Sequence, residues 1–270
     1  MRRGDFAAAW RISDAVLAAR DPATRDDPRK PYHQRWVWDG RPLHGQDVTV
    51  RCYHGLGDTI QFARFLPALA ARAASVTLEV QPELLRLIAA QPGPPRLVAF
   101  DPAHPLPGSK AEVEIMELSH ALRIAPDAAP YLRADAKGPR GLGVCWQAGT
   151  WDAARSIDPG LLLPLLPGAV SLQREAMGEG ADVLDTARRI AGLDLVVSVD
   201  TMAAHLAGAL GRPTCLLLKA EADWRWGTGR SVPWYGSVRA VRQAQDGDWQ
   251  PALAEMSGVV EAVHHRVRVA

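Results

Sequence analysis

Ser198-Val199-Asp200-Thr201-Met202-Ala203-Ala204-His205-Leu206-Ala207-Gly208-Ala209-Leu210-Gly211-Arg212-Pro213 is the stretch whose reading decides the fold. Ahead of it, Leu193 to Val199 is an apolar run of strand length, interrupted only by Asp194 and Ser198. Behind it, Gly211 stops a helix of small residues, and Thr214 to Leu218 is a second apolar run. The pattern is strand, sharp turn, helix, strand, with Asp200-Thr201 where the first strand gives way to the helix. In open α/β sheets ligands sit at that edge, and a helix start there offers unbonded N–H groups to an anion. Asp200 reads equally well as the N-cap of the helix, and a lone histidine such as His205 as a structural residue.

Working outward, the same alternation recurs. Gly141 to Trp146 is a strand, Ile157-Asp158-Pro159 a helix start with Asp158 as cap, Ala169 to Leu172 a short strand and Ala181 to Ala191 a helix. Beyond Leu218 come aromatic and basic residues, Asp223-Trp224-Arg225-Trp226 and Pro233-Trp234-Tyr235. A last helix over Trp249 to His264 places Leu253, Met256, Val260 and Val263 on one face. Toward the N-terminus a first series has a strand over Val48 to Tyr53, a turn His54-Gly55-Leu56-Gly57 and a helix over Asp58 to Arg72. A strand over Val76 to Val80, a helix from Pro82 to Ala90 and a strand over Arg96 to Phe100 follow; Val113 to Leu118 closes the series. Ala125 to Pro139, rich in proline, reads as an interdomain connector.

Residues 4 to 20 form one amphipathic helix through Phe6, Trp10, Ile12, Val16 and Leu17, and a lone helix of that length needs a partner surface. Asp21 to Pro31, with Pro22 and Pro28, is an irregular connection, and Tyr32 to Leu43 is rich in aromatics. The expected fold class is α/β: two doubly wound Rossmann-like domains facing across a cleft, with an N-terminal helix. The expected segments are 1–31 (helix and connector), 32–138, 139–248, and 249–270 (a helix packing back).

Bulk properties exclude more than they identify. A net charge of +1 over 270 residues gives no global reason to expect nucleic acid or an anionic membrane as partner. No run of about 18 apolar residues suggests a membrane span, and Met1-Arg2-Arg3-Gly4-Asp5-Phe6 does not read as a signal peptide. Cys52, Cys145 and Cys215 each fall among apolar neighbours without metal-type spacing, which suits buried thiols in a reducing, cytoplasmic setting. The eight histidines are scattered, His264-His265 near an exposed tail, and no metal site is expected.

Three groups of residues stand where strands end. Gly55-Leu56-Gly57-Asp58-Thr59-Ile60-Gln61 lacks the third glycine of a dinucleotide fingerprint. Asp58 followed by Gln61 has the spacing of a capping box, and a carboxylate at such an edge also suits a general base toward a hydroxyl. Trp146-Gln147-Ala148-Gly149-Thr150 leaves the first strand of the second series, with Arg155 and Lys219 as basic candidates; Ser171-Leu172-Gln173 ends the next. Gly143, Gly149, Ser171, Gln173 and Asp200-Thr201 all fall at or near carboxyl ends of strands on one rim, and that convergence outweighs any single member. The nine tryptophans read as packing between segments, or as sugar-stacking surfaces.

Taken in order, Gly55 to Phe62, Pro130-Tyr131-Leu132, Ser171-Leu172-Gln173, Leu193 to Thr201, Ala204 to Pro213, Asp223 to Trp226 and Trp234-Tyr235 resemble the glycosyltransferase family 9 (heptosyltransferase-like) proteins of GT-B fold. The resemblance is strongest to the branch in which the module follows tetratricopeptide repeats. It implies an inverting, metal-independent transfer of a sugar from a nucleotide-diphospho-sugar, ADP-heptose being the donor suggested, with no cofactor. The acceptor would be a glycan, lipid-linked saccharide or protein. Asp58 matches the proposed general base, and Gly55, Leu56, Gly57 and Gln61 the acceptor-side loop. Asp200, Thr201, Met202, Ala203 and His205 match the donor-holding turn and helix, with Trp146, Gln147 and Gln173 beside it and Arg155 and Lys219 as phosphate contacts. Residues 1 to 20 resemble the last helix of a repeat array, a surface for self-association or for a helical-repeat partner. The loop Gln147 to Ser156 departs from the family: it is shortened and lacks the usual Asn. His54 stands where an acidic residue or Gln is common. A catalytically silent module that binds a sugar nucleotide or a protein is therefore the alternative.

Overall fold

A computed structural model describes residues 4–25, 27, 29–31, 34–178 and 180–269, with backbone alone over 263–269. Pro28 and Tyr32, and the side chains of Val263, His264 and His265, lie outside the described residues. The chain divides into two compact units between Pro126 and Asp127, inside the proline-rich connector.

The first unit opens on helix α1 (Phe6–Ala18), capped by Asp5, whose carboxylate accepts the Ala8 N–H at 2.8 Å. Ala9 is buried and Phe6, Trp10, Ser13 and Leu17 are half-buried, whereas Ile12 and Val16 are 66% and 54% exposed. Asp14 accepts hydrogen bonds from His120 and Arg123, fixing the helix to its own unit.

Four parallel strands follow, β1 (Asp47–Arg51), β2 (Ser75–Val80), β3 (Arg96–Ala99) and β4 (Ala111–Glu114), in the order β3-β2-β1-β4. The helix expected over Asp58 to Arg72 is broken into α2 (Leu56–Phe62), a 3-10 turn and α3 (Leu66–Ala70). Pro67 has no N–H to donate to the carbonyl four residues back, so the α-helical ladder stops there. Pro82 likewise opens a 3-10 turn ahead of α4 (Leu85–Ala89).

At the end of the series Val113 to Leu118 is not one strand. β4 stops at Glu114, and a 3-10 turn leads into α5 (Leu118–Leu122) because the Glu117 carboxylate accepts the Glu114 N–H. Arg51, buried at the end of β1, bonds Glu79 on β2 at 2.7 Å and Glu112 on β4 at 2.5 Å. It also donates to the carbonyls of Leu106 and Pro107, while Glu79 and Glu112 accept the N–H groups of Leu106 and Ser109. Arg25 Nη2, 3.8 Å from Glu112 Oε2, is the second cation of the cluster, and the Pro102 to Gly108 segment is fastened to the sheet.

The second unit holds β5 (Leu142–Cys145), α6 (Pro159–Leu162), β6 (Val170–Ser171), α7 (Val183–Gly192), β7 (Leu195–Val199), α8 (Met202–Ala209), β8 (Thr214–Leu218), β9 (Ser231–Val232), β10 (Tyr235–Arg242) and α9 (Gln250–Val269). The sheet order is β6-β5-β7-β8-β10-β9, parallel except for β9 against β10. Every residue of β7 and β8 is buried, as the apolar runs require. Leu253, Met256 and Val260 of α9 join Val197, Val199, Leu217 and Val241 in one core, each such burial worth about 1.5–3 kcal/mol.

Strand β10 has no counterpart in the sequence reading. Its alternation, Val238 and Ala240 buried and Arg239 exposed, begins only after Gly236 and Ser237, two poor strand formers beside an aromatic cluster. The connector is stitched to this unit, since the N–H groups of Tyr131 and Leu132 both donate to Ala209 O, at 2.9 and 3.1 Å.

Candidate functional site

Helix α8 begins one residue later than an Asp200 cap would place it. Its N-cap is Thr201, in extended conformation and without a side-chain capping bond. The Thr201 hydroxyl turns back toward the sheet, 3.1 Å from Ser198 Oγ and 3.6 Å from Cys145 Sγ. Asp200 is thereby displaced from the capping position and looks away from the helix ladder. Its carboxylate is hydrogen-bonded by the Trp226 side chain, with Arg155 Nη1 at 3.9 Å and His205 Nε2 at 4.0 Å. Asp200 is 9% exposed, and burial raises its pKa from the ordinary aspartate value against the pull of Trp226 and Arg155.

His205 is buried behind this acid. Its ring stacks on Trp226 at 4.6 Å, and Nδ1 lies 3.0 Å from the Tyr235 hydroxyl. Ala203 is buried as well, so of the donor-side residues expected on this element Thr201 and Met202 retain partial exposure. His205 thus meets Trp226 and Tyr235, with Asp200 4.0 Å away, and is not an open side chain.

The neighbouring strand ends converge as expected. Gln173, beyond β6, turns its Oε1 to accept from the Cys145 thiol at 2.8 Å and from the Gln147 N–H at 3.4 Å. The loop after β5 is closed on itself, Ile157 N donating to Trp146 O and Ala148 N to Ser156 Oγ. Arg155 carries this loop to the β7 turn by donating to Asp200 O at 2.9 Å. Lys219, beyond β8, pairs with Asp152 at 2.8 Å and lowers the Asp152 pKa. Both cations expected to meet phosphate are thus already engaged within the unit. Trp151 lies with the Arg155 guanidinium 4.2 Å from its ring centroid and is itself 77% exposed.

In the first unit, Gly55 is the N-cap of α2 and Asp58 its third residue; Asp58 Oδ2 accepts the Gly55 N–H at 3.1 Å. The capping relation is real but sits three residues earlier than the Asp58–Gln61 spacing suggested, because the helix already begins at Leu56. Gln61 is 0% exposed, inside α2, and does not belong to an open loop. Gly55 is exposed and Leu56, Gly57 and Asp58 half-buried. The turn is braced from just beyond β2, where Gln81 accepts from Thr59 Oγ1 at 3.1 Å and donates to His54 O at 2.8 Å.

Trp226, Tyr235, Ser198, Cys145 and Trp151 received no individual role from the sequence. Ser198, a hydroxyl in an otherwise apolar strand, was the readable signal; the others depend on tertiary neighbours. Among the described residues no group of three or more His, Cys, Asp or Glu is placed to hold a metal ion, and no helix is long and apolar enough to cross a membrane.

No protein-family model matches the chain. In sequence it is 27% identical over 308 residues to Protein FlbA of Caulobacter vibrioides, and it spans about half of that relative's length, 51%, with 90% of its own. Among solved structures it resembles the iron-containing dodecameric glycosyltransferase TibC of enterotoxigenic E. coli, with TM-score 0.59 and 14% identity over 84% of this chain and 78% of TibC. E. coli ADP-heptose lipopolysaccharide heptosyltransferase II aligns with TM-score 0.56 and 12% identity over 80% of this chain and 99% of its own. E. coli heptosyltransferase WaaC with ADP aligns with TM-score 0.56 and 13% identity over 81% and 100%. At these identities the likeness establishes the fold, which is the GT-B-like α/β fold of the heptosyltransferases.

Proposed function

We propose that the chain is an inverting, metal-independent glycosyltransferase that takes its sugar from a nucleotide-diphospho-sugar. The observation that carries this reading is the β7–α8 turn, a helix start at the carboxyl edge of a parallel sheet, ringed by Gln173, Arg155 and Thr201. The solved structures with this fold include heptosyltransferases with ADP, which favours ADP-heptose as donor. Asp58 is the base: it takes the proton of an acceptor hydroxyl as that oxygen bonds to the anomeric carbon. The bond from that carbon to the diphosphate oxygen breaks, and the electron pair leaves with the nucleoside diphosphate. Met202 and Ala203, in the first turn of α8, and Arg155 stabilise the departing charge. The acceptor is a glycan, lipid-linked saccharide or protein, met in the cytoplasm. In the same reading α1 resembles the end of a tetratricopeptide-type array, its exposed Ile12 and Val16 meeting a neighbouring helix.

A second reading rests on a specific observation. Arg155 and Lys219 are engaged internally, and Asp58 caps its own helix, as in a module that binds without turnover. Asp58→Asn separates the two, because the amide oxygen still accepts the Gly55 N–H. Calorimetry with ADP, UDP and GDP is expected to show ADP binding unchanged in this variant, while nucleotide release from ADP-heptose falls at least a hundredfold. Retained turnover removes Asp58 from the chemistry, and absence of binding by all three nucleotides at millimolar concentration ends the transferase reading.

A further inference from the structure

The segment ahead of β1 packs on the carboxyl edge of the four-stranded sheet. Tyr53 OH donates to Arg35 O at 3.2 Å, Trp38 N donates to Glu117 Oε2 at 3.3 Å, and Arg20 pairs with Glu117 at 2.8 Å. The packing leaves a cavity of about 350 Å³ lined among others by Arg35, Trp36, Tyr53, His54, Glu114 and Glu117, within the range of small-molecule sites.

Glu114 is the unusual member. It is the last residue of β4, 7% exposed, and its Oε1 has no hydrogen-bond partner among the described residues. His54 Nε2 lies 3.7 Å from it. A buried oxygen left without a partner carries a desolvation cost that a ligand hydroxyl removes. Burial, followed by the Glu117 charge, pushes the Glu114 pKa up to about 8, so at neutral pH the group is an uncharged acid that both donates and accepts. Arg20 is paired with Glu117, and Arg35 donates to Lys30 O. The walls are polar and present both donors and acceptors, which is chemistry that suits the hydroxyls of a polyol.

We propose that this cavity is a subsite for an uncharged saccharide, with Glu114 hydrogen-bonding its hydroxyls and His54 beside it. Calling that saccharide the acceptor rests on the glycosyltransferase reading; the binding does not.

The test is NMR titration of the full chain with methyl β-glucoside, methyl β-galactoside and methyl α-mannoside, each at millimolar concentration. At least one is expected to bind, with Kd raised at least tenfold by Glu114→Leu, less than threefold by Glu114→Gln, and at least threefold by His54→Ala. His54 is half-buried, so its variant covers the case in which Glu114→Leu does not fold. The proposal is overturned if none of the glycosides binds the wild type, if His54→Ala and a folded Glu114→Leu bind as tightly as wild type, or if methyl glucuronide binds more tightly than every neutral glycoside. ADP titrated into the same samples keeps the two readings apart. Glycoside binding without ADP binding removes the transferase reading and leaves the cavity, and ADP binding without glycoside binding does the reverse.

Discussion

Two strand-to-helix turns in this molecule have nearly the same sequence logic and opposite outcomes. After β1, Gly55-Leu56-Gly57-Asp58 enters α2 early, and the carboxylate, inside the first turn, reaches back to the Gly55 N–H. After β7, Asp200-Thr201 enters α8 late, and the carboxylate, outside the first turn, is taken by Trp226 and Arg155. A shift of a few positions relative to the helix start decides whether an acid serves its own helix or a surrounding site. The surroundings follow suit: α8 is buried from Ala203 to Ala209, whereas the start of α2 is half-open.

The largest expected effect concerns protonation. Asp200 and Glu114 both have raised pKa values, Glu114 from 4.5 to about 8, so the folded state holds protons that the unfolded chain releases. The contribution of these two groups to stability is then fully present below the ordinary carboxylate range and is lost as pH rises, for Glu114 as pH approaches 8, by at most about 1.4 kcal/mol per pH unit. Urea titrations from pH 5 to 8 are expected to show this fall, and Glu114→Gln to flatten it; an unchanged slope in that variant refutes the assignment.

Gly208→Ala comes next. A Cβ there would stand 2.5 Å from the Tyr235 ring, so a loss of ~1–3 kcal/mol is expected in chemical denaturation. Asp58→Ala, which removes the α2 cap, is expected to cost about 1 kcal/mol, and Asp58→Asn less than half of that. If the two cost the same, Asp58 does not serve its helix and the contrast between the turns collapses. Smallest is Trp151→Ala: the ring is exposed, so stability should move by less than about 0.5 kcal/mol, and a larger loss would make that loop part of the core.

The elements legible in the sequence were those whose signals are local. Thr214 to Leu218 is a strand over the residues read, and Gly211, at φ +69°, ends the helix where only a glycine sits without strain. The rim of Gln147, Gln173, Asp200 and Thr201 came together because strand ends of a parallel sheet share one edge. What escaped depends on partners far along the chain. Arg155 and Lys219 read as free cations until Asp200 O and Asp152 are placed beside them. Gln61 follows Asp58 at a suggestive spacing, yet the helix start at Leu56 turns it into the core. Glu114 sat in a segment, Val113 to Leu118, read as continuous, and the lack of a hydrogen-bond partner at its Oε1 is visible only once β4 is seen to end there.

The six-stranded sheet ends on β6 at one side and on β9 at the other, each two residues long. So short an edge offers an incoming strand almost no row of free N–H and C=O groups to copy. Growth of this unit by strand addition, whether as an ordered filament or as misassembly at high concentration, is thereby discouraged at both margins.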